Sequence, residues 1–574
     1  MVQKYFVSLG LIFVAGSAIY SAPKSVERDR AMRRRPVALF TVPGVEQRLF
    51  VANRASGSVS VIDLESNEVA GEHRVGTSIA HAVPATNEAL AYVIDEATRE
   101  LKLLELSSDG VRSVRTIAKL PHSASRLVAA STEQRVFVST KWSRRVVRAS
   151  VNDGGSKSVR LPFVPLELCL AENDRTLVVA SAFGGELAVV DAETLQLRSV
   201  RSLQGHNIRG LAYDVPEQEL LIAHQKIVPG GIVDYEELHW GRLVTNAVQA
   251  ISLEKLHDKK KGPLKGWLRK YGGIGGATGD PGGLALGDGE VLAVSFSGSR
   301  EVSIQRGHAV NRVSVGSRPT ALSLVGEHLF VANELDDTIS VLSTRDVASA
   351  QVVSTISLGR RPKRTAVERG ERLFFDARVS HEAWMSCHSC HTDGHSADLV
   401  VDTLGDGDYG APKRVPSLLG TKSSAPWGWT GRAKSLEDQI RSSVDTTMHG
   451  ALTNEQVNDL RAYLETLKAP PSANEKRGAL AAQGQSVFRE QGCADCHAPP
   501  RYTSKRVVEV GLMDEKKRRR FNPPSLLGVG QRGRFFHDGR AKRLSDVFAK
   551  YRHQVEDQLS PKKLEALLAY LRSL

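Results

Sequence analysis

Four of the chain's five cysteines fall in two pentads, Cys387-His388-Ser389-Cys390-His391 and Cys493-Ala494-Asp495-Cys496-His497. A thiol can add across a porphyrin vinyl group, and a histidine directly after the second thiol is placed to give its imidazole to the iron. The spacing therefore points to two covalently bound haem c groups. Cys387, Cys390, Cys493 and Cys496 are the expected attachment points, and His391 and His497 the expected proximal iron ligands. Paired Cys-Xaa-Xaa-Cys units also build structural zinc sites and thioredoxin-like redox pairs. A zinc ribbon would leave both trailing histidines without a role, and neither pentad sits in a strand-to-helix unit. Cys169, in the apolar stretch LPFVPLELCLAEND, reads as a core residue, and no disulfide is expected.

Two haem-bearing segments need scaffolds, and 574 residues exceed what one core can organise. Composition divides near Pro362. The front repeats pairs of short β-branched strands joined by turns, as in LFVANRASGSVSVIDLESNEVAGEHRVG and HLFVANELDDTISVLSTRDVASAQVVSTISLG. The period is that of a propeller blade, roughly forty residues. Units start near Leu49, Ala89, Arg135, Arg175, Glu219, Val291 and His328, and the FVAN and SVIDL pieces resemble the YVTN family of β-propellers. The expected fold is multidomain: an all-β propeller of about seven blades over 36–362, then two mainly α, cytochrome c-like haem domains over 365–470 and 474–574. An insertion in the fifth unit, roughly Gln225 to Asp280, reads as a flexible surface loop. Its YGGIGGATGDPGG lacks the Gly-Lys-Ser/Thr ending of a phosphate loop. His224 and His239 flank the start of the insertion and read as surface residues.

The back half is duplicated. PSLLGTKSSAPWGWTGRAKSLEDQI, from Pro416, aligns without gaps on PSLLGVGQRGRFFHDGRAKRLSDVF, from Pro524, and LTNEQVNDLRAYLETL matches LSPKKLEALLAYLRSL. The closing segments carry leucines at helical spacing, so each half should end in an amphipathic helix whose leucines are core. With RGERLFFDARVS and MSCHSCH, these motifs make residues 365 to 574 resemble the bacterial di-haem cytochrome c peroxidases and the related MauG enzymes.

The resemblance implies that the first haem is the peroxide site, the second stores or relays an electron, and Trp429 stands at the position of the tryptophan between them. For the second haem it implies a distal ligand at Tyr551, with His553 competing. For the first, the family's Glu-Met-Gly turn is replaced by Thr447-Met448-His449-Gly450. Either His449 moves the peroxide proton in the glutamate's stead, or Met448 ligates the iron and the site transfers electrons only. His395 is placed to reach the edge of the first haem or a propionate. The family's calcium-site asparagine is Arg414 here, which puts calcium in doubt. His537 and Asp538 match the family's HDG turn, which orders the surroundings of the second haem.

Residues 1–22 read as an export signal, with an apolar run behind Lys4, so a periplasmic location is expected. Membrane attachment is expected only if that segment is uncleaved. The net charge of +13 comes without aromatic-interleaved basic motifs, and nucleic acid is not an expected partner. The leading expectation is an oxidoreductase that reduces hydrogen peroxide with electrons from a small cytochrome or cupredoxin, or that uses peroxide to oxidise another protein partner. The alternative is a non-catalytic di-haem electron-transfer cytochrome with a propeller for docking or sensing.

Overall fold

The computed structural model describes residues 24–26, 30–86, 88–131, 135–152, 154–258, 262, 264–473, 478–555 and 557–574. The expected export signal, 1–22, lies outside them. No helix among the described residues is long and apolar enough to cross a membrane.

Seven antiparallel four-stranded sheets follow in chain order over 36–74, 79–119, 124–160, 165–202, 206–271, 281–314 and 319–357. Each is one propeller blade. Inner strands such as Thr176–Ser181 are buried along their whole length because neighbouring blades cover both faces, which explains their unbroken apolar runs. Outermost strands such as Leu197–Ser202 alternate half-buried and exposed residues, one face being in water. The ring closes where Leu49, Val51 and Ile62 of blade one pack against Phe330, Ala332 and Ile339 of blade seven. Lys24–Ser25 adds a fifth strand to blade one. Arg34, fully buried, pairs there with Glu72 at 2.9 Å, while Arg33 and Arg35 reach out of the propeller to Glu368 and Glu371.

The insertion in blade five is not the loop expected from its composition. It contributes that blade's last two strands, Val244–Ser252 and Trp267–Tyr271, and two short helices, α1 (Tyr235–His239) and α2 (Leu253–His257). Residues 228–243 form an arm that docks on the pentad-bearing region: Gly230 and Val233 donate to the carbonyls of Val400 and Asp402 at 2.8 Å, and Asp402 donates back to Gly231 at 2.9 Å. Its apolar residues Val233, Leu238 and Leu243 bury against Trp384, Met385 and Val444. Tertiary packing thus supplies what the glycine- and lysine-rich sequence conceals.

The back half holds α3 (Ala366–Phe374), α4 (Cys387–Cys390), α5 (Leu436–Ser442) and α6 (Asn454–Leu464), then α7 (Ala479–Glu490), α8 (Leu544–Ala549) and α9 (Pro561–Arg572). Reciprocal Thr365–Glu368 capping starts α3, and Thr453–Gln456 capping starts α6. The duplication is visible in the packing. α3 crosses α6 at Gly370, where a Cβ would lie 1.9 Å from the Asp459 carbonyl oxygen, and α7 crosses α9 at Gly484, 1.9 Å from that of Ala566. One turn on, Phe374 and Phe488 are buried in the two halves.

Candidate functional site: two pentads and their junction

The first pentad opens from the short helix α4 onto a cavity of about 290 Å³, at the low end of the roughly 300–1,000 Å³ of ordinary ligand pockets. Cys387, Cys390 and His391 lie on one wall and Met448 lines the same cavity. Both cysteines are unpaired, and burial pushes both thiols up to about 12. The histidine is pre-set for an iron. His391 Nδ1 lies 2.9 Å from the Pro416 carbonyl; that oxygen can only accept, so Nδ1 carries the proton and Nε2 offers its lone pair. Burial pushes His391 down to about 4, keeping the ring neutral. The second pentad repeats the device. His497 Nδ1 donates to the Tyr502 carbonyl at 3.1 Å, and burial first, then neighbouring His553, push its ring down to about 4. An apolar nest of Phe488, Phe535, Val547 and Leu567 packs around Cys493. Two thiols, a neutral tautomer-locked imidazole and an apolar wall fit haem c in each half.

The first cavity is closed by both halves. Its lining includes Trp427, Trp429, Gln439 and Leu464 from the first half and Asn522, Pro524, Ser525 and Arg532 from the second. Trp429 is held at this junction from three sides. Its indole N–H donates to the Arg414 carbonyl at 2.6 Å, the Arg414 guanidinium lies 5.3 Å from its ring centre, and Asn522 donates its backbone N–H to the Trp429 carbonyl at 2.7 Å. Arg414 is itself buried and spans the halves, donating to the Phe536 carbonyl at 3.2 Å and pairing with Asp398 at 3.4 Å. Next to it Lys413 pairs with Asp406 and Asp514, each at 3.0 Å. Arg414 and Lys413 therefore place two fixed cations side by side where the resemblance had put a calcium ligand in doubt.

A family model described as di-haem cytochrome c peroxidase matches residues 364–478 and 483–573. The helical C-terminal region matches that family. The cytochrome c551 peroxidase of Pseudomonas aeruginosa is 24% identical over 274 residues, 36% of this chain and 78% of that one. The methylamine utilization protein MauG of Methylorubrum extorquens is 25% identical over 244 residues, 33% of this chain and 69% of its own. The identity is modest, and it supports di-haem, peroxidase-like redox function; the family implies haem c as cofactor. A solved chain of Kuenenia stuttgartiensis hydrazine synthase superposes with a TM-score of 0.46 at 16% identity, covering 58% of this chain and 99% of that one.

Within this peroxidase-family region the expected site residues separate. Met448, 5% exposed, faces the first cavity, and Thr447 lines it beside Ser443 and Gln439. His449 is not among the lining residues; with φ of +49° it turns edge-on to Tyr235, ring centres 6.0 Å apart, and its buried Nε2 has no partner. In the second half the Tyr551 hydroxyl is engaged, donating to the Arg540 carbonyl at 3.1 Å, whereas His553 keeps a buried, unpartnered Nδ1. His395 turns to the propeller, against Phe183 and Trp142, with Nδ1 2.9 Å from the Ser417 hydroxyl. His537 stacks on Phe521 at 4.2 Å, next to the Arg540–Asp538 pair.

Sequence reading missed the propeller's grip on the first pentad. Asp280, buried at the end of the glycine-rich stretch, accepts from the hydroxyls of Ser386 and Ser389, the latter at 2.6 Å. Burial pushes its carboxyl above the ordinary range against the pull of those two donors. His206 Nε2 donates to the Ser389 carbonyl at 2.8 Å, and Asn246 donates to that of Trp384 at 3.1 Å. The turn after the pentad plugs the propeller's central channel: Asp393 receives Lys141 at 2.9 Å and Arg209 at 3.1 Å. Burial raises the Asp393 carboxyl, but Arg209 and Lys141 more than offset this and hold it well below the usual range. His224, read as a surface residue, is 2% exposed, and burial pushes it down to about 4. A pair of serines flanking a thiol was the only local signal of this clamp.

Proposed function

We propose that this chain is an exported, periplasmic di-haem oxidoreductase that reduces hydrogen peroxide, or uses it to oxidise a partner, with a small cytochrome or cupredoxin as electron donor. The observation that carries the reading is the junction: one tryptophan, Trp429, lines the first cavity and is hydrogen-bonded to the second half through Asn522. Haem c, attached through Cys387 and Cys390 and through Cys493 and Cys496, with His391 and His497 as proximal ligands, would supply one-electron redox chemistry at two centres. Peroxide reduction requires two electrons, which two such centres match. The proteinaceous steps belong to named residues. His391 and His497 keep their orientation through the Pro416 and Tyr502 carbonyls, Trp429 shortens the path between halves, and the apolar nest around Cys493 excludes water. In the second half, His553 is the better-placed distal ligand, since its Nδ1 is free while the Tyr551 hydroxyl is committed to Arg540.

The test is peroxide-dependent oxidation of a reduced c-type cytochrome or cupredoxin by the purified holoprotein, resting and half-reduced. Turnover is expected in at least one state; its absence, with no peroxide-induced spectral change, would sink the proposal. Met448 in the first cavity favours a second reading, an electron-transfer centre with the thioether as sixth ligand. That reading expects a far-red charge-transfer band that Met448→Ala removes.

A further inference from the structure

Where the docking arm of blade five meets the pentad-bearing region, one side chain of the arm and two adjacent ones 142 positions further on turn their ligand atoms toward one point. His239, the last residue of α1, brings Nδ1 to 3.0 Å from His381 Nε2 and 3.1 Å from Glu382 Oε1; His381 Nε2 lies 3.7 Å from the same oxygen. Among the described residues this is the one convergence of three histidine, cysteine or carboxylate groups with all ligand atoms within 4.8 Å of one another. Zinc bonds of 2.0–2.1 Å to nitrogen or oxygen make the edge of a tetrahedron about 3.3 Å, and the three separations straddle that length. A proton accounts for the cluster less well. The single Nδ1 hydrogen of His239 cannot serve both an imidazole and a carboxylate fully, and Glu382 is left with a buried second oxygen that has no partner. Side-chain exposures of 26%, 22% and 15% leave one direction open to solvent, where a fourth ligand would be water.

We propose that His239, His381 and Glu382 form a binding site for a divalent first-row metal ion; two imidazoles and one carboxylate hold zinc in tetrahedral sites with a water as fourth ligand, and zinc is the probe ion here. The ion ties the propeller's arm to the segment six residues ahead of Cys387. The tie reaches the first cavity, because the His381 backbone N–H donates to the Met448 carbonyl at 2.9 Å. Tyr235, ring centre 4.6 Å from that of His381, and His449 beyond it wall the site on the cavity side. The inference is independent of peroxidase activity.

The experiment is metal analysis and zinc-edge X-ray absorption on the full-length holoprotein, stripped with chelator and reloaded with zinc sulfate. About one zinc per chain beyond the haem irons is expected. Its first shell should consist of nitrogen and oxygen at about 2.0–2.1 Å without sulfur near 2.3 Å, which separates this site from zinc held by unmodified pentad cysteines. His239→Gln and Glu382→Gln, with unchanged haem content, should each lower zinc retention at least tenfold, by analogy with the cost of losing a ligand-supporting group. No zinc uptake by the stripped protein, a sulfur shell, or full retention in both folded variants overturns the proposal. If the variants do not fold, the absorption spectrum of the parent protein decides alone.

Discussion

Trp429 performs two tasks with one ring, lining the first cavity and anchoring the halves to each other. Trp429→Phe keeps an aromatic face but deletes the indole N–H, leaving the Arg414 carbonyl without that donor. A stability loss of about 1–2 kcal/mol is expected in chemical denaturation. Inter-haem electron transfer after flash reduction should slow while both haem spectra stay unchanged; an unaltered rate would remove Trp429 from the path. Histidine burial sets a second residue-level expectation. His206 and His224 are held down to about 4 in the fold, against about 6.5 in an unfolded chain. The unfolded state binds the extra protons between those values, so the full contribution is present above about pH 6.5 and is lost as pH falls toward 4. Each group contributes of order 2–3 kcal/mol. The unfolding temperature should fall steadily from pH 7 to 4, with a shallower slope in His224→Gln.

Among the elements, the two helix crossings are the most exacting. A methyl at Gly370 or Gly484 meets a backbone oxygen, which cannot rotate away, so one helix must move off its partner. Gly370→Ala and Gly484→Ala should each cost about 1–3 kcal/mol, toward the upper end. The effect should be local: absorption and redox titration should show the first haem disturbed in Gly370→Ala and the second in Gly484→Ala. Equal disturbance of both haems in either variant would mean that the halves do not pack as separate units. The docking arm makes a similar point about composition, since the backbone hydrogen bonds of Gly230, Gly231 and Val233 form against Val400 and Asp402, neighbours that its own sequence does not contain.

The whole molecule makes the propeller part of the first pentad's surroundings. Its upper face holds Ser386 and Ser389 through Asp280, and its channel holds Asp393 between Lys141 and Arg209. Asp393→Asn leaves two half-buried cations without their counter-charge, a change expected to cost about 1–3 kcal/mol. Adding Lys141→Ala should recover part of that loss in a double-mutant cycle, and additivity would show that the pair is not coupled. Asp280→Ala should shift the redox potential of the first haem and spare the second; the propeller reaches the second half through Arg144 at Gln531 and Gly530 and through the Trp142 carbonyl, which accepts from Gln531 at 3.0 Å.

The pentads, the blade repeat and the duplicated PSLLG segments were legible in the amino-acid sequence because each is a pattern of near neighbours: thiol, thiol and imidazole within five residues, or strands joined by tight turns. Seven blades and two helical halves followed from counting such local units. Which side of a cavity Met448 and His449 take was beyond that reading, since one left-handed residue turns His449 toward Tyr235. The clamp of Asp280 on Ser389 joins positions 109 residues apart, and His239 meets His381 across 142. Contacts of that kind carry no periodic signature, because they arise only when the ring has closed and the haem-bearing region has settled on its face. The chemistry the chain can carry was readable from neighbouring residues alone; the propeller's hold on the first site, and the side chains that face it, came from folding, because burial and charge pairing are settled only where distant segments meet.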